Sequence, residues 1–220
     1  MTEVFIIMGA AKVVAESESI WKPVLPALAG GLLAGGITLA GIWLTHYFAR
    51  KREQEAAERK IAADRYFIAT ELVFKLEDFA EACASASEDD GEPDKSGYWR
   101  TTTQVKPLEF DDITGDWRAL PDYIMYRVLE FHVLQPEASG AMTHAYDHDS
   151  PPDYSWYFRE RRYQYARLGL RALFLAKRLR KITGMPSSRL DKYLWSPQKM
   201  LWQCWRKERK FRNKLRREEE

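Results

Sequence analysis

Pro23 to Ala49 form a run of 27 residues without a formal charge, bracketed by Lys22 and Arg50. A bilayer core about 30 Å thick needs roughly 20 apolar helical residues, and Val24–Leu44 (VLPALAGGLLAGGITLAGIWL) supplies them. Pro23 and Pro26 fall at the start, where the first helical turn has no N–H bonds to lose. Trp21 lies at one end and Trp43 and Tyr47 at the other. On a helix, residues 21 and 43 are about 33 Å apart, so aromatic side chains mark both interfaces. A helix buried in a soluble core seldom runs this far without a charge. A cleaved signal peptide fits poorly, because Glu3, Glu16 and Glu18 offset Lys12 and Lys22 and the apolar run is too long. The earlier run Val4–Ala11 is too short to span.

The flanking charges give the span a direction. Arg50, Lys51, Arg52, Arg59 and Lys60 follow it closely, and only Lys12 and Lys22 precede it. The positive-inside rule then predicts an outside N-terminus and a cytoplasmic C-terminal domain. Within the span, Ala27, Gly31 and Gly35 repeat every four residues, as do Gly30, Ala34 and Thr38. Such stripes let helix backbones approach, so these six residues are the expected helix-association face, toward a second copy or a partner's membrane helix. Glycine is also simply common in membrane helices.

Beyond the span the pattern predicts an all-α fold: a single N-terminal transmembrane helix continuing into an irregular cytoplasmic helical bundle. The expected organisation is a short extracytoplasmic tail (1–22), the transmembrane helix (23–49), an extension helix (50–84), an acidic loop (85–121), a helical bundle (122–196) and a basic amphipathic helix (197–220). RKREQEAAERKIAADRY is strongly helix-forming. Ile61, Ile68, Leu72, Leu76, Phe79 and Cys83 mark one apolar face of a helix ending near Ser85. The loop is punctuated by Gly91, Pro93, Gly97, Pro107, Gly115 and Pro121, with one short extended piece at Thr101–Val105, and its length suggests a mobile part. A helix over 122–134 presents Ile124, Val128, Leu129 and Phe131, with a shorter one at Glu137–Tyr146. From the start signal at Asp149–Asp153 a regular helix runs to Thr183, presenting Phe158, Tyr165, Leu168, Ala172, Leu175, Leu179 and Ile182. Arg161 interrupts that face, and Gly184 and Pro186 end it.

Charge is distributed unevenly. Residues 154–217 hold twenty Lys or Arg against Glu160, Asp191 and Glu208, whereas residues 85–122 hold ten acids against four bases. Mutual neutralisation of the two regions is one explanation. The sharpest feature is the C-terminal stretch. Lys199, Arg206, Lys207, Arg209, Lys210, Arg212, Lys214, Arg216 and Arg217 are its nine bases, beside Trp202, Trp205, Phe211 and Leu215. Three readings fit: contact with anionic lipid head groups, nonspecific contact with nucleic-acid phosphates and bases, or a solvated helix end docked by its tryptophans.

Other chemistry is sparse. His144 and His148, four apart, share a helix face as zinc ligands do, but a site needs a third ligand. The aromatic–arginine mixture YSWYFRERRYQY reads as packing of arginines on rings. Cys83 and Cys204 match no metal or redox spacing and read as reduced thiols. There is no P-loop, GxGxxG, GxSxG or HExxH, so no cofactor is implied and no catalytic residue is named.

The stretches RYFIATELVFKLEDFAEAC and PPDYSWYFRERRYQYARLGLRA resemble those of uncharacterised bacterial proteins with one N-terminal membrane helix. The resemblance implies a bacterial inner-membrane location and brings no function. The expectation is a non-enzymatic, membrane-anchored interaction or scaffold protein. The alternatives are a membrane-tethered nucleic-acid binder and an enzyme or effector with an unfamiliar helical site.

Overall fold

The computed structural model describes the backbone of residues 3–191 and 196–219, and side chains of 41–190 and 196–218. It is mostly helical, as expected, and divides into two compact units, residues 1–59 and 60–220. The first helix, α1, is Glu3–Glu88. Among the described residues no helix is long and apolar enough to cross a membrane. Most of the expected span, Val24–Leu44, and all six expected association residues from Ala27 to Thr38 lie outside the described side chains.

In the first unit, Ile42, Trp43, Leu44, Tyr47 and Phe48 are all about half exposed or more, and Trp43 stacks on Tyr47 at 5.7 Å. Five large apolar side chains within seven residues thus lack protein cover in this unit.

The second unit is built around α4, Ser155–Thr183. Its small residues Ala166, Gly169, Ala172 and Ala176 are fully or almost fully buried, which lets neighbouring helices approach closely. Against it pack the C-terminal part of α1, α2 (Asp122–Leu129), α3 (Phe131–Asp147) and α5 (Pro197–Glu219). The predicted face of α1 is confirmed from Ile68 to Cys83, all at most 6% exposed. Ile61 and Leu129, expected in the core, are instead 47% and 44% exposed. Gly184 ends α4 in the left-handed region at φ +69°, its N–H donating to the Arg180 carbonyl, which is the stop the sequence signalled.

Two helix boundaries differ from expectation. The expected helix over 122–134 divides at Glu130, which closes α2 and opens α3 while keeping right-handed helical angles. No proline or glycine marks this break. Pro136, which separated two expected helices, lies inside α3 at the cost of one backbone hydrogen bond.

The acidic segment is a structured strap. Helix α1 runs three residues past Ser85. The only strands among the described residues, β1 (Glu92–Pro93) and β2 (Trp99–Arg100), form an antiparallel pair closed by Asp94 and Gly97. Pairing therefore precedes the expected extended piece at 101–105. That piece is tied instead by Asp89, whose carboxylate accepts from the backbone N–H and hydroxyl of both Thr102 and Thr103 at 2.8–3.0 Å. Farther along, Gln135 donates to the Leu108 carbonyl and accepts from its N–H, a two-way clamp on the backbone. A strap fixed by this many bonds gives no support to the mobile loop expected from its length.

Candidate anion-binding surface on the C-terminal helix

Helix α5 begins at Pro197, a favoured first helical residue, and Ser196 accepts from the N–H groups of Lys199 and Met200 through its carbonyl. Its inner face is set by Leu201, fully buried, and Glu208, 2% exposed. Glu208 receives Arg159 at 3.3 Å and lies 4.0 Å from Arg162, both on α4. The second acid of the region, Glu160, lies on α4 and takes Arg212 of α5 at 2.5 Å and the Gln164 amide at 2.6 Å. Arg159 also lies over the Phe211 ring, and Arg212 over Tyr163 at 4.0 Å. The α4–α5 seam is therefore ionic and aromatic at its C-terminal end and aliphatic only near Leu201. Glu160 and Glu208, two of the three acids in the basic stretch 154–217, are the sequence signal for this seam.

Burying the acids sorts the charge. Eight of the nine expected surface bases are exposed: Lys199, Arg206, Lys207, Arg209, Lys210, Lys214, Arg216 and Arg217. Arg212 is the exception, half-buried and committed to Glu160. With 3.6 residues per turn, Lys199, Arg206, Lys210 and Arg217 fall on one stripe, opposite Leu201 and Glu208, with Lys207 and Lys214 beside it. Lys199, Lys207, Lys210 and Arg217 make no ion pair among the described residues, and Lys214 reaches Glu218 at 3.6 Å. The outward face of α5 thus carries positive charge that ion pairs among the described residues leave largely uncompensated.

The tryptophans are engaged. Trp202 and Trp205 stack on each other at 5.2 Å, Arg206 lies over Trp202 at 4.9 Å, and Arg209 over Trp205 at 4.8 Å. Phe174 of α4 meets Trp202 edge-on. Faces covered in this way are poor platforms for nucleic-acid bases, which need an open ring.

Elsewhere, bases of the C-terminal half pair with acids of α1 as well as with Asp89 and Asp90 of the acidic segment. Arg180 forms a bidentate pair with buried Glu77 at 2.8 and 2.9 Å, Arg162 pairs with Asp90, and Arg189 approaches Asp78 and Glu81. The interruption at Arg161 is the deepest of these contacts. Its guanidinium, 3% exposed, donates to Asp89 at 3.1 Å and to the carbonyls of Ala86 and Thr103 at 3.0 and 2.7 Å.

The remaining expected chemistry does not assemble. His144 and His148 stack at 4.3 Å on the exposed end of α3, and His148 Nδ1 lies 2.9 Å from the His144 carbonyl oxygen, which occupies one ring nitrogen within the helix. Among the described residues no group of three or more His, Cys, Asp or Glu is arranged to hold a metal. Cys83 and Cys204 are free thiols. Burial pushes Cys83 far up, and burial together with the Glu208 carboxylate pushes Cys204 up to about 11. Neither is a thiolate at neutral pH, as nucleophilic chemistry would need.

No family model, curated protein or solved structure matches this chain. The functional reading therefore rests on the site itself.

Proposed function

We propose that this chain is a single-pass membrane protein, N-terminus outside, whose cytoplasmic helical unit acts without catalysis as an interaction or scaffold module, using the outer face of α5 to contact anionic lipid head groups. One observation carries the lipid contact: eight of the nine bases between Lys199 and Arg217 are exposed, while the one acid among them, Glu208, is buried in the seam. Each basic residue near an anionic leaflet contributes about 1 kcal/mol. The uncharged run Pro23–Ala49 supports the anchor, and the uncovered aromatics Trp43, Tyr47 and Phe48 suit an interfacial belt. The small-residue stripe Ala27–Gly31–Gly35 gives the anchor a means of self-association or pairing. A bacterial inner membrane is the location consistent with the basic cluster after the span.

The test uses the full chain in lipid nanodiscs with a spin label at Lys210→Cys in a Cys204→Ala background, since Cys204 is only partly buried whereas Cys83 is buried. The label is expected to be immersed in nanodiscs containing anionic lipid and solvent-exposed in zwitterionic ones. Adding Lys199→Gln, Lys207→Gln and Arg217→Gln should weaken the anionic contact roughly a hundredfold, from about 1 kcal/mol per base removed, while leaving thermal unfolding unchanged. Equal exposure in both lipids would refute the lipid contact. Nuclease-sensitive material that co-purifies and is lost as salt rises would favour nucleic-acid phosphates instead.

A further inference from the structure

A groove of about 410 Å³ lies between α2–α3 and α4, and none of its lining residues belongs to α5. Ile124, Leu134 and Leu175 form its apolar floor, and its rim carries Arg127, Arg171 and Arg178 against a single acid, Glu130. The side chains of Arg127 and Arg171 are 60% and 43% exposed. Phe174, 48% exposed, stands between Arg171 and Arg178 on α4.

We infer that this groove docks an acidic amphipathic helix of a partner protein, with two carboxylates bracketing its apolar anchors. The register of α4 carries the inference. Arg171, Phe174, Leu175 and Arg178 occupy positions i, i+3, i+4 and i+7, so two arginines whose backbone positions are about 10 Å apart along the axis flank an apolar step. A helix laid alongside with acids at i and i+7 and apolar residues at i+3 and i+4 matches this spacing, in the usual helix-in-groove manner. Glu130 already shows what the arginines accept: its carboxylate takes Arg127 at 2.9 Å and lies 3.9 Å from Arg171. Arg178 is held toward the groove by the Tyr123 ring and hydroxyl, at 5.3 and 3.3 Å. Glu130 is thus an internal competitor that an incoming acid displaces.

The test is fluorescence anisotropy of the full chain in nonionic detergent with a labelled helical peptide carrying Glu at i and i+7 and Phe and Leu at i+3 and i+4. A second peptide with Lys at both charged positions is the control. We expect saturable binding of the acidic peptide only. Arg171→Glu should weaken it about tenfold or more, and Glu130→Gln should tighten it severalfold by releasing two arginines. The gain from Glu130→Gln cannot come from misfolding. Absence of binding, or binding indifferent to both substitutions, would overturn the inference. So would loss of the chain's own self-association in Arg171→Glu, which assigns the face to a second copy, or loss of anionic-nanodisc contact in that variant, which assigns it to lipid. The label at position 210 reads the lipid contact separately, so either proposal can fail alone.

Discussion

Replacing Asp89 by alanine is expected to cost the helical unit about 3–5 kcal/mol, because it strands a buried guanidinium. Asp89 and Arg161 have side chains 1% and 3% exposed. The Asp89 carboxylate accepts from Thr102, Thr103 and the Gly91 N–H as well as from Arg161, and the Thr103 hydroxyl donates to Asp89 while accepting from Arg161. One ion pair therefore joins the end of α1, the strap and the first turns of α4. Arg161→Met should cost less, since the carboxylate keeps five neutral donor contacts, whereas the guanidinium without Asp89 keeps only Ala86 and Thr103. Urea unfolding followed by far-UV circular dichroism, with the full chain in detergent, reads both values. A loss below about 1 kcal/mol in Asp89→Ala, the scale of an exposed pair, would show that the network is not needed for the fold.

The same network sets an acid limit. Burial pushes the Asp89 carboxyl up, but the donors of Thr102, Thr103 and Gly91 outweigh it and hold the group well below the usual carboxylate range. A carboxyl whose folded pKa lies below its unfolded one stabilises the fold above the unfolded pKa, and that contribution is lost as pH falls toward the folded pKa. Wild type should therefore lose stability below about pH 4, and Asp89→Ala should lose less over the same interval. Parallel pH dependences in the two proteins would contradict this account.

The helical periods were legible in the sequence because they are local. Ile68, Leu72, Leu76, Phe79 and Cys83 recur on one face whatever packs there, and Gly184 stops α4 by its own backbone geometry. Partner choice was not legible. Asp89 and Asp90 are adjacent acids in one acidic run, yet Asp89 is buried under the strap and Asp90 is exposed. What separates them is Arg161, 72 residues away. The basic stripe on α5 could be read from spacing, but the removal of Arg212 from it depends on Glu160 across the seam. The division at Glu130 carries no breaker residue, and the groove beside it exists only once α2 and α4 are brought together.

Gly169→Ala tests another contact between distant parts of the chain, and here local and tertiary reasoning give opposite signs. Glycine inside a helix costs roughly 0.5–1 kcal/mol relative to alanine, so propensity alone predicts that the substitution stabilises α4. At Gly169 an added Cβ would stand 2.8 Å from Cys83 Cβ on α1 and 2.9 Å from both terminal carbons of Leu201 on α5. Leu201 can turn away in part. Cys83 Cβ is bonded directly to the α1 backbone, so relief there requires two helices to separate. Overpacking of this kind costs about 1–3 kcal/mol, which outweighs the propensity gain and leaves Gly169→Ala less stable. Gly140, within α3, meets nothing within 4 Å of an added Cβ, so Gly140→Ala should show the propensity gain alone. Leu201→Ala combined with Gly169→Ala should destabilise by less than the sum of the two single changes, because it removes two of the three clashes. Stabilisation by Gly169→Ala equal to that at Gly140 would mean that α1, α4 and α5 do not meet this closely.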